Sequence, residues 1–392
     1  MNIVMVSSYD CFYPGGVGEH IRSLSAALRQ RGHTVTVLGP SNVGDARTFP
    51  GHVRTGRSHQ VPGNGSRAHV GMTPRLRRPA KDLMRTSHFD IAHYHEPLLP
   101  TLPMLVMRLH GGANVGTFHA SGDRSPAYRC ARPVLMPFFR RLHMCVAVSE
   151  PARDFADRYF PGDYRIVPNG VDTTRFRPDV VPDAQLRSQV ASTLLYVGRL
   201  DRRKGVLNLL EAFARLRQMR DDVRLVVIGD GPMRSRCERF VAHNHVPGVT
   251  FAGFVEAERL PGCYAAGDVF CAPSTGQESF GIVLLEAMAS GIPVVASSIP
   301  GYSRIVRHER DGFLVPPRDV SAWTRALRLL VDDPVRRHRM GSLGVADAAR
   351  YDWNSVASEM LEIYTEAISR RRRGLVAADA TMRGAVARTY PA

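Results

Sequence analysis

Lysine is almost missing from this 392-residue chain: of 52 basic residues only Lys81 and Lys204 are lysines, and the rest are arginines. The formal charge of +16 is therefore an arginine bias spread along the whole sequence. Aromatic residues make up only 8 %, and no basic stripe is interleaved with them, which argues against a nucleic-acid partner. No run of 18 or more uncharged apolar residues occurs, so no bilayer-crossing helix is expected. The opening Met1–Val6 has no basic n-region and turns polar at Ser7, so it reads as a buried first strand and not as a signal peptide. The six cysteines lie far apart with no C-x-x-C pair, several of them inside apolar runs, which fits a reduced, cytoplasmic setting. The dinucleotide fingerprint G-x-G-x-x-G is also absent, which counts against a nicotinamide enzyme.

What is present is a rhythm repeated twice. Short apolar runs alternate with amphipathic stretches. In the first half strands are expected at Ile3–Val6, Val35–Leu38, Ile91–Tyr94, Val115–Phe118 and Cys145–Val148. In the second they fall at Leu194–Val197, Leu225–Ile228, Val269–Ala272 and Val294–Ala296, with a weaker one near Thr250. Val17, Ile21, Leu24 and Leu28 share one helical face, and Gly32 stops that helix. Such alternation predicts an α/β protein of two doubly wound, Rossmann-like domains with parallel sheets covered on both faces. The expected domains are residues 1–175 and 190–350, joined by a Pro-containing linker, with a C-terminal helix over about 351–368 that returns to the first domain. Residues 370–392 read as a flexible tail. Ligands of such sheets bind outside the carboxyl ends of the strands, so both sets of strand-end loops are expected to face a central cleft.

Four clusters sit at those loops. Pro14-Gly15-Gly16-Val17 lies between strand one and helix one, where glycines let backbone N–H groups approach an anion; a tight turn without a ligand is the plainer alternative. Gly198-Arg199 through Lys204-Gly205 follows the first strand of the second half. Its Arg199 and Lys204 can neutralise a diphosphate by a fork of hydrogen bonds and a point charge. Lysine is scarce elsewhere, so its use at this loop weakens the alternative of a solvated basic loop. Glu278-Ser279-Phe280-Gly281-Ile282 through Glu286 spaces two carboxylates eight residues apart, one in a loop and one in the following helix. Each can accept bonds from vicinal hydroxyls, one from a sugar and one from a ribose. A Glu inside the apolar run Ile282–Ala289 would otherwise be costly to bury. Finally Val115–Ala120 ends a strand in His119, although a lone strand-end histidine is more often structural.

Taken together, these clusters resemble the retaining glycosyltransferases of the GT-B fold, family 4, and within it the branch that mannosylates phosphatidylinositol. The resemblance runs from Met1 to about Glu366. It rests on Tyr13–Val17, His93-Tyr94-His95-Glu96-Pro97, Thr117-Phe118-His119, Pro168–Asp172, Gly198-Arg199, Arg203-Lys204-Gly205, Glu278 through Ala289, and Tyr351-Asp352-Trp353. It implies that Gly16 lets donor diphosphate and acceptor meet and that His119 contacts the transferring sugar. It further implies that Arg199 and Lys204 hold the diphosphate, Glu278 the sugar hydroxyls, and Glu286 the ribose. Catalytic work would then fall to His119, Arg199, Lys204 and Glu278. The donor site would comprise Gly16, Val255, Ser279, Phe280, Gly281 and Ile282 besides the charged groups. Transfer would retain configuration through same-face attack, with no carboxylate nucleophile. The chain has no D-x-D, and two cations can replace a metal on the leaving group, so no metal ligands and no obligatory cofactor are expected.

The implied acceptor side is Asn64, Ser66, Arg67, Arg75, Arg77, Arg78 and Lys81. In the resembled enzymes a basic amphipathic helix here docks on anionic lipid, which makes the inner face of the cell membrane the expected place of work. Leu76, Leu83 and Met84 offer a shared apolar face, and Pro79 places the helix start near itself. Gly63 stands where the family usually has an aromatic residue near the acceptor headgroup. GDP-mannose and a phosphatidylinositol-type lipid are the favoured substrates. A UDP-sugar donor, a soluble acceptor such as an inositol phosphate or an oligosaccharide, and a non-catalytic sugar-nucleotide binder remain open.

Overall fold

The computed structural model describes residues 1–13, 15–42, 49–63, 66–71, 77–186, 190 and 192–389, without the side chains of residues 62–67 and of those after 375. The chain divides into two compact units. One holds Met1–Pro62, Arg67–Pro168 and Asn354–Ala392, and the other holds Asn169–Trp353 with Gly63–Ser66.

The chain begins with β1 (Asn2–Ser7), α1 (Gly16–Gln30), β2 (Thr34–Gly39), β3 (His52–Arg54), β4 (His59–Gly63), β5 (Ser66–Val70) and α2 (Arg77–Thr86). It continues with β6 (Ile91–His95), α3 (Leu102–Leu109), β7 (Ala113–Phe118), α4 (Pro126–Phe139), β8 (Met144–Ala147), α5 (Glu150–Asp157) and β9 (Tyr164–Ile166). Seven of these strands form one sheet in the order β3-β2-β1-β6-β7-β8-β9, every pairing parallel. β1 is apolar from Ile3 to Val6 and all four residues are fully buried, as a parallel strand covered on both faces requires. Val4, Val6, Ala92 and Tyr94 pack on Leu102 and Val106 of α3 and on Phe138 of α4. On α1, Ile21, Leu24 and Leu28 are fully buried, and Gly32 beyond its end takes φ +80°.

The second unit runs β10 (Ser192–Val197), a 3-10 turn (Arg202–Lys204), α6 (Val206–Arg217), β11 (Val223–Ile228), α7 (Arg234–His243), β12 (Val249–Gly253) and α8 (Leu260–Ala265). β13 (Val269–Ala272), α9 (Ile282–Ala289), β14 (Val294–Ser297), β15 (Gly312–Val315), α10 (Val320–Asp332) and α11 (Pro334–Ala348) complete it. Its sheet order is β12-β11-β10-β13-β14-β15, again all parallel. Side chains alternate across it: Leu195, Val226 and Phe270 pack on one face with Leu284 and Leu285 of α9. Leu194, Tyr196 and Leu225 pack on the other with α6 and α10 residues such as Leu209 and Leu327.

Each expected strand is present. The segment expected as a linker is largely packed, because Phe176 and Leu186 are buried in the second unit's core, Phe176 edge-on to Tyr264 at 5.5 Å. The expected C-terminal helix is α12 (Trp353–Thr389), which buries Val356, Met360, Ile363 and Tyr364. The stretch expected as a tail continues this helix as far as Thr389, since arginines and alanines favour helix and no proline interrupts before Pro391.

Candidate active site

In an open sheet of order 3-2-1-4-5-6 the crevice lies where the connections diverge, here between β10 and β13. The loops after these two strands carry the second and third sequence clusters. The β10 loop ends at Gly205, whose φ of +68° and whose contact with the Pro273 carbonyl leave no room for a Cβ. That close approach lets Thr275 donate its backbone N–H to the Arg203 carbonyl at 2.7 Å, fixing one loop on the other. The result is a compact charged knot. Lys204 Nζ lies 2.8 Å from Glu278 Oε1, the Arg203 guanidinium bonds the same oxygen, and the Ser274 hydroxyl donates to it at 3.4 Å. Glu278 is only 10 % exposed. Burial pushes its carboxyl up, but the Lys204 and Arg203 charges outweigh burial and hold it below the usual carboxylate range. It is therefore ionised at neutral pH. Two cations against one carboxylate leave a net positive charge, which suits a diphosphate leaving group. Gln277, just before it, sits at φ +57°, a costly conformation for a non-glycine residue and a mark of a fixed loop.

The other expected donor residues divide. Arg199 extends from the same loop, 40 % exposed, with Nε 3.1 Å from the buried Asp201 carboxylate. Glu286 stands on α9, where its Oε2 accepts from the Tyr264 hydroxyl at 2.6 Å. α9 starts after Gly281, whose φ of +106° and contact with the Tyr302 ring again exclude a Cβ, and no side chain caps this N-terminus. Ser279, Gly281 and Ile282 are partly exposed around that start. The Phe280 and Val255 side chains are mostly buried in the unit's apolar core, which leaves their backbones for ligand contact. The neighbouring Phe254 is 56 % exposed instead.

In the first unit the divergence point lies between β1 and β6. Gly16 opens α1 at the exposed end of the β1 loop, with Gly15 at the N-cap and no side-chain cap. His119 follows β7 and is 7 % exposed. Its Nε2 faces His95 Nδ1 at 3.1 Å, and its ring meets His20 of α1 edge-on at 4.9 Å. Burial, reinforced by the neighbouring histidines, holds His119 and His95 well below the usual imidazole range, so both are neutral at pH 7. His119 thus presents a hydrogen-bonding group, not a cation. Glu96, at φ +56°, accepts the backbone N–H groups of His119 and Ala120 at 2.6 Å each and so fixes the turn that carries His119.

The acceptor-side residues are less gathered. Arg77, Arg78 and Lys81 are exposed on α2, whereas Ala80 is fully buried and Leu83 and Met84 pack on the unit's core. Leu83 and Met84 of the apolar face expected for lipid are thus half-buried against the unit's own core. Pro79 falls in the first turn of α2 and does not break it. Ser66 and Arg67 belong to β5, but their side chains, like Asn64, Arg75 and Leu76 altogether, lie outside the described residues. Among the described residues no helix is long and apolar enough to cross a membrane.

Sequence reasoning passed over Arg203 as a Glu278 partner, Tyr264 beneath Glu286, and the set His20, His95 and Glu96 around His119. His20 had a readable signal, since it adjoins Ile21 on the buried stripe of α1. The rest depend on which loops the sheet order makes neighbours.

Two family models match the chain: "Glycosyltransferase Family 4" over residues 14–175 and "Glycosyl transferases group 1" over residues 183–344. The chain is 36 % identical to the phosphatidyl-myo-inositol mannosyltransferase of Mycobacterium tuberculosis over 93 % of its own length and 96 % of the relative's. It is 30 % identical to the glycogen synthase of the same organism over 94 % and 95 %. Among solved structures, sucrose-phosphate synthase from Thermosynechococcus elongatus superposes with TM-score 0.73 at 23 % identity, covering 96 % of this chain and 99 % of that one. Anabaena Alr3699/HepE in complex with UDP-glucose gives 0.72 at 20 % identity, covering 93 % and 99 %. The two parallel sheets are those of the GT-B fold.

Proposed function

The chain belongs to glycosyltransferase family 4, a family of retaining, hexosyl-transferring enzymes, and from that premise we propose that it moves mannose from GDP-mannose to a phosphatidylinositol-type lipid. The Lys204–Glu278–Arg203 knot at the β10/β13 crevice is the observation that carries the donor half of this reading. On binding, the diphosphate takes up the positive charge that Glu278 leaves unneutralised, and Arg199 turns its fork from Asp201 to the same phosphates. Glu278, kept ionised and held by its cations, offers its second oxygen to sugar hydroxyls, while Glu286, oriented by Tyr264, takes the ribose. Cleavage of the bond between C1 and the phosphate oxygen leaves an oxocarbenium-like sugar and a GDP whose new charge meets preformed cations. These cations do the work a metal does elsewhere, so transfer requires no divalent ion. The acceptor hydroxyl attacks the face the diphosphate leaves, gives its proton to the departing phosphate oxygen, and so retains the anomeric configuration.

The acceptor half is supported by the mannosyltransferase relatives, which are named for phosphatidyl-myo-inositol. Membrane approach then falls to the exposed Arg77, Arg78 and Lys81, by charge more than by insertion, because Leu83 and Met84 of α2 pack in part against the unit's core. A thermal-shift panel of GDP-mannose, UDP-glucose and UDP-N-acetylglucosamine, with Glu286→Ala beside the wild type, tests the donor. Stabilisation by GDP-mannose that is lost in the variant supports the reading. A preference for UDP-glucose, the ligand of the Anabaena structure, replaces the donor while keeping the family.

A further inference from the structure

We propose that His20, His95 and His119 form a binding site for one borderline divalent transition-metal ion, of which Zn²⁺ is the type. The three come from α1, β6 and the end of β7, and all are buried. One ring nitrogen from each can be chosen so that the three atoms lie within 4.8 Å of one another. A tetrahedral zinc with Zn–N of about 2.0–2.1 Å needs its nitrogens about 3.4 Å apart, so the widest pair closes by no more than about 1.4 Å. His95 Nδ1 and His119 Nε2 already stand 3.1 Å apart, near that spacing. They now share one proton between two lone pairs. On metal binding both lone pairs turn to the ion, and the proton moves to an outer ring nitrogen. His20 stands against both partners, with ring centroids 5.3 Å from His95 and 4.9 Å from His119.

Two further observations separate this set from a plain cluster of core histidines. His95 is fully buried, yet its Nε2 has no hydrogen-bond partner among the described residues, so the cluster as it stands leaves a buried ring nitrogen without the bond it needs. Behind it the scaffold is rigid: His93 packs on His95 with centroids 4.2 Å apart and is itself tied to the Thr117 hydroxyl at 2.6 Å and the Tyr364 hydroxyl at 2.8 Å. The buried Glu96 carboxylate accepts the backbone N–H of His119 at 2.6 Å and so stands beside the cluster. Three protein ligands leave a fourth position for water or a small anion. Binding in this place does not depend on the donor or acceptor assigned above. Its consequence does: His119 engaged on the ion is withdrawn from the sugar, so occupancy inhibits transfer.

The test uses the full chain freed of metal by chelation and titrated with Co²⁺, whose visible bands are strong in four-coordinate nitrogen sites and weak in octahedral ones. The expected result is one equivalent of strongly absorbing Co²⁺, displaced by Zn²⁺. His20→Gln and His95→Gln should each weaken Zn²⁺ at least about 100-fold, whereas His33→Gln, at the ring beside the amino terminus, should change nothing. Circular dichroism melts establish that each variant is folded. Weak octahedral bands in the wild type, or strong bands that persist in the folded His20→Gln variant, overturn the proposal, and neither result bears on the mannosyl-transfer reading.

Discussion

Replacing Lys204 by methionine separates two roles that the geometry gives to one ammonium group. In the free protein Lys204 is a partner of Glu278 at 2.8 Å, and both side chains are mostly buried. Removing one member of a buried pair costs about 3–5 kcal/mol when the other is left without any partner. Glu278 retains the Arg203 guanidinium and the Ser274 hydroxyl, so the loss should be smaller, about 1–2 kcal/mol. At about 2–4 °C per kcal/mol for a unit of this size, Tm falls by roughly 2–8 °C. The catalytic loss should be larger. A preorganised group that meets charge on a leaving group contributes about 2.7–4 kcal/mol, so kcat falls about 100- to 1,000-fold. The assay is GDP release from GDP-mannose with phosphatidylinositol vesicles, measured at 25 °C, where the variant is still folded. Were Lys204 only a structural partner of Glu278, Tm would fall while kcat changed less than about threefold. That outcome would refute the assignment of Lys204 to the diphosphate.

Tyr264→Phe removes the hydroxyl that orients Glu286 at 2.6 Å, a bond to a charged group of about 1.5–3 kcal/mol; we expect the donor KM to rise about tenfold with kcat nearly unchanged, read from initial rates. Asp311 is fully buried, and burial with the adjacent Asp347 raises its carboxyl above the ordinary range, so the folded chain binds this proton more tightly than the unfolded one. Stability is therefore lost as pH rises above about 4 through the raised folded value, and Asp311→Asn should melt higher than the wild type at pH 8 but level with it at pH 4 in calorimetry. Neutralising Arg77, Arg78 and Lys81 together should weaken flotation with anionic vesicles about 100-fold, at about 1 kcal/mol per basic residue. Leu83→Ala, on the packed face of the same helix, should lower Tm and leave vesicle binding intact.

The elements legible in the sequence were those whose burial writes itself into composition. β1 and β10 carry continuous apolar runs, Ile3–Val6 and Leu194–Val197, because helices cover both of their faces, and α1 repeats its apolar residues at helical spacing. β3 and β9 have three residues each, too short for any period to show. Reading the Ser66–Arg85 region for its charges suggested a lipid-facing apolar side; Leu83 and Met84 turn inward because an amphipathic helix beside a sheet covers that sheet first. Lys204 and Glu278 could be named from residue type and loop position, but not their contact, which depends on β10 and β13 being sheet neighbours 70 residues or so apart in sequence. Phe280 and Val255 show the opposite failure: membership of a motif gave no indication that their side chains serve the core.

The central claim is most directly tested by incubating the purified chain with GDP-mannose labelled in the sugar and phosphatidylinositol vesicles, then determining product and anomeric configuration by NMR. The account predicts one mannose on the inositol ring in α linkage, GDP as co-product, activity that survives chelation of divalent ions, and loss of activity in Glu278→Gln. Label that stays in GDP-mannose or enters water alone, or a β-linked product, would contradict it.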